Sequence, residues 1–569
     1  MKRVEEETPR IGVFICHCGI NIGGVVNVPE VVEYAKTLPG VVYAEDNLYT
    51  CSSVGISKIK EGIAKHNLNR VIVASCTPRT HEPLFRGACE EAGVNKYLFE
   101  MANIRDQCSW AHMHEPEKAT EKAKDLVRMA VAKSRLLKSL EEPEIDVTPS
   151  ALVIGGGISG MTTALCLAGQ GFKVYIVEKE PELGGMLRHL YKLYPTMQDA
   201  SERLNHIVNS VKSDKGIEVL TSTVVKQVKG FIGNFEVTVQ KANGGTANFG
   251  VGTIIVATGA PIFEPVGMYG YGEYDNVITQ LQLEQLLKDG QLKKPKSVIM
   301  IQCVGAREKE GRTYCSRICC MTAIKNAMLI KDLYPDTDVH ILFRQLQTYG
   351  EHYEEHYRTA QDKGVKFIKY LQEKPPEVIS GKNGKLTVNV HHALLDEELK
   401  FGSDLVVLST PLIQHEDAKK LSQILKVPLG SDGFFFEAHV KLRPIDFATD
   451  GIYVCGTAHS PKDTPESVSQ ALGVASRAAI PMALKRLRTE AITAVVNESL
   501  CSGCGTCLKL CPYGAIEKDE KGVARVTEVV CKGCGVCAAT CPERAIEMRH
   551  FTSEQVMAQA LAALGRAVK

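Results

Sequence analysis

Short apolar runs alternate with longer stretches of helical period along most of the chain. Near the N-terminus "IGVFIC" (11–16) and "RVIVASC" (70–76) are almost unbroken apolar runs, the pattern of strands covered on both faces. "PEVVEYAKTL" (29–38) and "GISKIKEGIAKH" (55–66) repeat apolar positions every three or four residues and predict helices. A long charged helix is expected over 117–140, followed by the polar, proline-containing linker "EEPEIDVTPS" at 141–150. Residues 1–140 therefore read as a small α/β domain. Strand and helix patterns then alternate over 151–490, with a second start near the strand-like "SVIMIQ" at 297–302. From 491 to 550 the pattern breaks into short pieces between cysteines, and 551–569 reads as a terminal helix. The fold class is α/β with a small α+β domain near the C-terminus.

Composition narrows the picture mainly through one residue. Of 569 residues 44% are hydrophobic and 23% charged, as in ordinary globular chains. The 67 basic and 66 acidic residues leave a net charge of +1, so bulk charge makes no case for nucleic acid or an anionic surface. No apolar run approaches the roughly 18 residues of a membrane span. The N-terminus lacks the pattern of an export signal, and a cytoplasmic location is expected. In a reducing compartment, 20 cysteines point to metal ligands rather than disulfides.

Two copies of C-x2-C-x2-C-x3-C-P stand near the C-terminus. They are Cys501, Cys504, Cys507, Cys511 with Pro512, and Cys531, Cys534, Cys537, Cys541 with Pro542. Three thiolates on a tight loop embrace one cubane, while the fourth faces the other. The spacing therefore predicts one 4Fe–4S cluster on Cys501, Cys504, Cys507 and Cys541, and a second on Cys531, Cys534, Cys537 and Cys511. This is the arrangement of a two-cluster ferredoxin domain, over about 491–550.

"ALVIGGGISGMTTALCLAGQGFKVYIVEKE" from Ala151 carries Gly155, Gly157 and Gly160 between an apolar run and a helical stretch, and ends its next strand at Glu178. That is a dinucleotide-binding βαβ pattern: a tight turn, a bare backbone for a pyrophosphate, and an acidic residue for ribose hydroxyls. Ile158 and Ser159 fall in the same turn. Further on come Lys179, Gly184, Gly185 and Met186, then a strand ending at Ala257, Thr258 and Gly259. Last comes "CGTAHSPKDTPESV" with Gly456 and Thr457. Together these resemble two-dinucleotide-domain flavoproteins of the thioredoxin reductase type. The resemblance implies that these elements hold FAD, that 151–490 contains two Rossmann-type units, and that the second spans about 295–410. Those families usually end the last strand in Gly-Asp where this chain has Gly456-Thr457. Beyond it, Thr464 reads as a helix N-cap, with Pro465 at N1 and Glu466 and Ser467 in the first turn. In the family this helix points its N-terminus at the flavin; an ordinary capped core helix is the plainer reading.

The second unit should open with another glycine triplet for nicotinamide dinucleotide. The chain instead reads Cys303-Val304-Gly305-Ala306-Arg307, with Cys315, Cys319 and Cys320 close behind. Nicotinamide binding is not expected here. The four cysteines are either buried thiols or the ligands of one more cubane.

The ordered set "FICHCGINIGGVV", "VIVASCTPRTHEPLFR", "IQCVGARE…YCSRICCMTAIK", "GTAHSPKDTPESV" and the double ferredoxin motif is similar to the A subunits of heterodisulfide reductases, over essentially the whole chain. That likeness implies an oxidoreductase subunit with FAD and 4Fe–4S clusters, one of them on Cys303, Cys315, Cys319 and Cys320. Family members act as flavin hubs that take an electron pair and can bifurcate it between a disulfide-reducing partner and ferredoxin. It further implies B- and C-type disulfide-reductase subunits, a hydrogenase- or dehydrogenase-linked donor, and a homodimer of A subunits. The segment between Gly185 and Gly259 has no cysteine, so the ferredoxin module inserted in the methanogen members is missing. The resemblance also suggests that Lys325, on the helix after the cysteine pair, reaches the flavin, with Glu273 as a weaker candidate for the same neighbourhood. Cys16, Cys18, Cys51 and Cys76 lack a ligand loop and read more readily as structural thiols than as a further cluster site. The rivals are an NAD(P)H-dependent reductase like the glutamate synthase small subunit, and a passive electron conduit and scaffold.

Overall fold

The computed structural model describes residues 8–381 and 384–565. The chain divides into two compact units, Glu144–Leu487 and a second that joins Met1–Pro143 to Arg488–Lys569. In the central unit two similar halves are nested, the second inserted in the chain between the strands Thr253–Val256 and Ile452–Val454 of the first. The first has a five-stranded parallel sheet in the order Ile217–Leu220, Lys173–Val177, Ser150–Ile154, Thr253–Val256, Ile452–Val454. The second repeats it as Val277–Thr279, Leu405–Leu408, Ser297–Ile301, Asp338–Phe343, Lys366–Lys369. Each carries a three-stranded antiparallel annex, Thr223–Val251 in the first and Glu377–Ser403 in the second. Ser150–Ile154 and Thr253–Val256 are buried at every position, which is why their sequences read as apolar runs rather than alternations. Parallel strands in a doubly wound sheet end together, so the loops at their carboxyl ends converge and form the crevice where ligands bind.

The end unit opens with a four-stranded parallel sheet in the order Val41–Asn47, Ile11–Cys16, Arg70–Ser75, Phe99–Asn103. The long charged helix runs Pro116–Ser134, ending short of the expected 140. The cysteine-rich domain is α+β as expected. Ala494–Val496 pairs with Ile546–Met548 and Ile516–Lys518 with Ala524–Val526, and the short helices Thr506–Leu510 and Val536–Thr540 follow the cysteine loops. The terminal helix is Ser553–Ala563, capped by Thr552 with Gln555; the outermost residues, 1–7 and 566–569, lie outside the described residues.

Linear pattern gave no sign that the two ends of the chain share one unit. They are joined by polar groups in a dry contact. Lys133 pairs with Glu100 at 2.8 Å, and His550 stands 3.5 Å from the same carboxylate. The Lys133 ammonium also lies 3.9 Å from the Phe551 ring centroid. Arg128 donates to the Ala562 carbonyl at 2.8 Å, and Gln555 to that of Leu136 at 2.9 Å. Burial alone would raise the Glu100 pKa, but His550 and Lys133 outweigh it and hold it below the usual carboxylate value.

Removing one partner of such a pair leaves the other buried and unpaired. Lys133→Met should lower the unfolding free energy of this unit by about 3 kcal/mol, measured by urea denaturation followed by circular dichroism. The depressed Glu100 pKa adds stability that is present above the ordinary carboxylate range and lost as pH falls through the lowered folded value. Glu100→Gln should flatten that acid limb; an unchanged acid limb would show that the triad does not hold the ends together.

Candidate functional site

An elongated cavity of about 590 Å³ opens at the carboxyl ends of the first sheet. The three predicted glycines each do a different job there. Gly155 turns the chain with φ +109°, and a Cβ on it would lie 2.3 Å from the Ala257 carbonyl oxygen. A Cβ on Gly160 would sit 1.9 Å from the Gly155 oxygen, so helix and turn close on each other only without one. Gly157 caps the helix Ile158–Gly169 and has nothing within 4 Å of its Cβ position. Its bare backbone and the helix N-terminus together offer an anion cradle of the kind a pyrophosphate needs. The residues present thus fit FAD.

Most of the expected binding residues line this cavity. Gly155, Gly157, Ile158, Ser159, Glu178 and Lys179 form one wall, with Gly184, Gly185 and Met186 beside them; Ala257, Thr258, Gly259, Thr457 and Ser467 complete the set. Four expected residues stand outside it. Gly160 packs behind the turn. Gly456 supports Ser159, whose Oγ would lie 2.3 Å from a Cβ there. Pro465 is exposed, and Glu466 turns to Arg317 and to the helix cap. Glu178 is buried and accepts from the Gly156 amide at 2.6 Å and from the Glu180 amide at 2.9 Å.

The helix Thr464–Leu484 begins one residue earlier than expected: its N-cap is Asp463, not Thr464. The Asp463 carboxylate accepts from the Glu466 amide at 2.8 Å, and the Glu466 carboxylate accepts in return from the Asp463 amide at 3.3 Å. This capping box outcompetes the threonine hydroxyl. Asp463 lines the cavity and also accepts from the Tyr353 hydroxyl. Burial raises its carboxyl pKa. Lys462, beside it, donates to the Gly456 and Ser460 carbonyls at 3.0 and 2.9 Å, and burial brings its pKa down to about 8.

Lys325 is 2% exposed and lines the cavity, so it is not an ordinary solvated helix lysine. It pairs with the equally buried Glu284 and donates to the Lys192 carbonyl at 2.9 Å. Burial pulls its pKa down against the pull of Glu284. The carboxylate of this neighbourhood is therefore Glu284. Glu273 stands on an exposed turn and is not part of the cavity wall, a correction to the expectation that placed it as a weaker candidate in the flavin's neighbourhood. Glu284, Lys462 and Asp463 were not singled out from the sequence as cavity groups, because no local motif marks them.

A second, much smaller hollow is walled by Cys303, Cys315, Cys319 and Cys320, with Arg307, Ser316 and Arg317. The turn after Ser297–Ile301 contains two left-handed residues that are not glycine, Cys303 at φ +61° and Arg307 at φ +56°. Cys319 lines this hollow and the large cavity alike. Burial pushes the Cys319 thiol up, and the Cys320 thiol up to about 12, so ligation there would release protons. In the cysteine-rich domain Cys501, Cys504 and Cys507 share a hollow with Cys541, and Cys531, Cys534 and Cys537 share one with Cys511. Each hollow thus gathers the four cysteines that the spacing assigns to one cluster. Among the described residues no group of three His, Cys, Asp or Glu closes to the spacing of a single ion. A cubane is a larger body than an ion, so thiolates placed for it stand further apart.

The N-terminal cysteines also come together. Cys16 ends one strand and Cys76 follows the neighbouring one, and the Cys16 sulfur accepts from the amides of Cys18 and Thr50 at 3.3 and 3.4 Å. Arg105 donates to the Cys18 sulfur at 3.7 Å, and Cys51 and Cys76 feel the charge of Arg105, Cys16 and Cys18. Separate structural thiols describe this group poorly; parallel strand order gathers what the sequence scatters.

Two outcomes follow from this geometry. Gly157→Ala should leave the apo-protein's stability unchanged within about 0.5 kcal/mol while reducing bound FAD, whereas Gly160→Ala should lose stability and FAD together; flavin absorbance and thermal unfolding read both. Cys501→Ser/Cys541→Ser should lose no more iron than Cys541→Ser alone, while Cys531→Ser/Cys541→Ser should lose two clusters' worth. Equal losses from the two doubles would refute the crossed ligation.

Residues 149–473 match the family model described as pyridine nucleotide-disulphide oxidoreductase, and 494–548 the model of a 4Fe-4S dicluster domain. The chain is 43% identical to the A subunit of the H(2):CoB-CoM heterodisulfide,ferredoxin reductase of Methanothermobacter thermautotrophicus, over 99% of this chain and 98% of that one. It is 41% identical to the iron-sulfur A subunit of the CoB--CoM heterodisulfide reductase of Methanocaldococcus jannaschii, over 97% and 98%. A protein of Archaeoglobus profundus, described as similar to heterodisulfide reductase A subunits, is 38% identical over 99% of each chain. No helix among the described residues is long and apolar enough to cross a membrane. Likeness on this scale, running through both units, places the chain in the family of heterodisulfide reductase A subunits, the electron-transferring oxidoreductase subunits that carry FAD and 4Fe–4S clusters.

Proposed function

We propose that Cys303, Cys315, Cys319 and Cys320 hold a third 4Fe–4S cluster, and that this cluster is the one-electron port of the flavin. FAD supplies the exchange between two-electron and one-electron chemistry, and the clusters carry single electrons. The observation that carries the reading is Cys319, whose side chain belongs to the walls of both sites. Lys325 is the candidate catalytic group. It puts a cation in the flavin cavity's wall, and Glu284 fixes its position. Nicotinamide has little support as the partner of this flavin. A Cβ on Gly305 would meet the Phe263 ring at 2.6 Å, so the turn that binds phosphate in relatives is packed against an aromatic side chain.

The name of the Methanothermobacter relative gives its acceptors as CoB-CoM heterodisulfide and ferredoxin. By that likeness this protein works in a complex with B- and C-type disulfide-reductase subunits, a hydrogenase- or dehydrogenase-linked donor and ferredoxin, as a homodimer, and its flavin bifurcates electrons. The alignment runs to 653 positions against 569 residues, so the relative carries at least 84 residues that this chain lacks. A shorter chain supports a simpler wiring. The convergent N-terminal thiols are the candidate site of a fourth cluster.

Cys319→Ser/Cys320→Ser should lose one cluster's worth of iron and keep its FAD; unchanged iron would end the ligand claim. Lys325→Met should lower the flavin midpoint potential by about 30 mV or more, a tenfold change in a two-electron equilibrium, because a cation favours the anionic reduced ring. Glu284→Gln, which frees the lysine charge, should move it upward. Rapid bleaching of the flavin by NADPH would favour the nicotinamide-dependent reading instead.

A further inference from the structure

Three arginines stand about the Cys303–Cys320 hollow. Arg307 and Arg317 line it, and Arg344 acts on Cys303 electrostatically. Two of them have their charge met within the protein. Arg317 is paired with Glu466, and Arg344 lies 3.4 Å from Glu308. Arg307 differs. Among the described residues no carboxylate lies within ion-pair distance of it. Its Nη2 donates to the Gln345 side-chain oxygen at 2.8 Å, its charge acts on the Cys303 thiol, and its Nη1 is buried without a partner.

The backbone holds Arg307 firmly in this position. Its φ is +56°, a region that side chains other than glycine rarely adopt and keep only where the surroundings impose it. Its amide donates to the Tyr314 carbonyl at 3.1 Å, and its carbonyl accepts from Arg344 at 3.1 Å and Gln372 at 3.0 Å. Arg307 is half-buried, and its sealed-off Nη1 is a buried donor with nothing to donate to, which is costly, as is a cation held there without an anion. Both costs disappear if an anion with acceptor atoms fills the hollow. Four thiolates around an iron–sulfur core form such an anion, with sulfurs that accept hydrogen bonds.

We infer that Arg307 is the charge partner and hydrogen-bond donor of the near-flavin cluster, and that it raises this cluster's reduction potential. The inference rests on the proposed ligation by the four cysteines. Reduction adds one negative charge to an already anionic cluster, so a fixed adjacent cation stabilises the reduced form more than the oxidised one. The step concerned moves one electron between flavin and cluster, with no bond made or broken. The two hollows of the cysteine-rich domain show a contrast: Lys518 and Lys532 line them, and no arginine does. Arg307 thereby sets the near-flavin cluster apart from the two clusters of the wire.

The test uses the full-length protein with its cofactors, titrated electrochemically and followed by EPR. The near-flavin signal is the one missing from Cys319→Ser/Cys320→Ser. Arg307→Gln should keep full iron and shift that signal's reduction equilibrium at least tenfold toward the oxidised form, about 59 mV for one electron, with the other clusters unmoved. Arg307→Lys, which keeps the charge, should recover most of the shift. Full iron with an unshifted potential in Arg307→Gln overturns the inference and leaves the ligation standing. Wild-type iron short by one cluster, or no signal dependent on Cys319 and Cys320, overturns the ligation itself. Should Arg307→Gln lose the cluster, Arg307→Lys decides: retention near the wild-type potential supports the charge role, and loss there too makes Arg307 structural and overturns it.

Discussion

The helix Cys319–Leu333 borders both the flavin cavity and the thiol-lined hollow, and helical period is the constraint that makes this possible. Cys319, Thr322 and Lys325 recur every three residues and all line the flavin cavity. Cys320, one residue on, points its thiol away from that cavity and into the thiol-lined hollow. Cys319 borders both spaces, while Cys320 borders the hollow and not the cavity. On the proposed ligation a rigid element then fixes the separation of flavin and cluster, which a pair on a loop would leave loose. The left-handed turn at Cys303 and Arg307 brings Cys303 to the same hollow from the strand before.

How legible each site was in the sequence follows from how local it is. The glycine triplet and both ferredoxin loops declare themselves because their chemistry lies within a dozen neighbouring residues. Gly155, Gly157 and Gly160 take the roles their spacing suggests. That Cys541 and Cys511 each stand in the other loop's hollow was readable because the motif itself encodes the exchange. Glu284 was not readable: it reaches Lys325 from a helix 41 positions away in sequence, and no spacing rule joins them. The N-terminal thiols failed for the same reason. Cys16 and Cys76 meet only because their strands are neighbours in a parallel sheet, a pairing that crossover connections hide. The cap of the flavin-facing helix was off by one residue, since Asp463 and Thr464 are both good caps and only the reciprocal bond with Glu466 decides between them.

Buried charge separates the structural from the functional parts of the molecule. A charge taken out of water is retained only where something meets it. In the end unit Glu100 is met by Lys133 and His550, each from a different segment, so its charge is balanced within the protein. Its work is to hold two distant stretches of chain together. Lys325 and Glu284 also compensate each other, yet they do so in the wall of a cavity large enough for a dinucleotide. A pair in that position can shift its proton or its distance when the charge of the cavity's occupant changes, which a pair in a sealed contact cannot. Arg307 is a different case, a half-buried cation with one nitrogen sealed off that no carboxylate among the described residues meets. Compensation in a dry contact thus marks a joint of the fold, compensation inside a cavity marks a group that can respond to its occupant, and the unmet guanidinium beside four cysteines is where, on the proposed ligation, a cofactor's charge would be met.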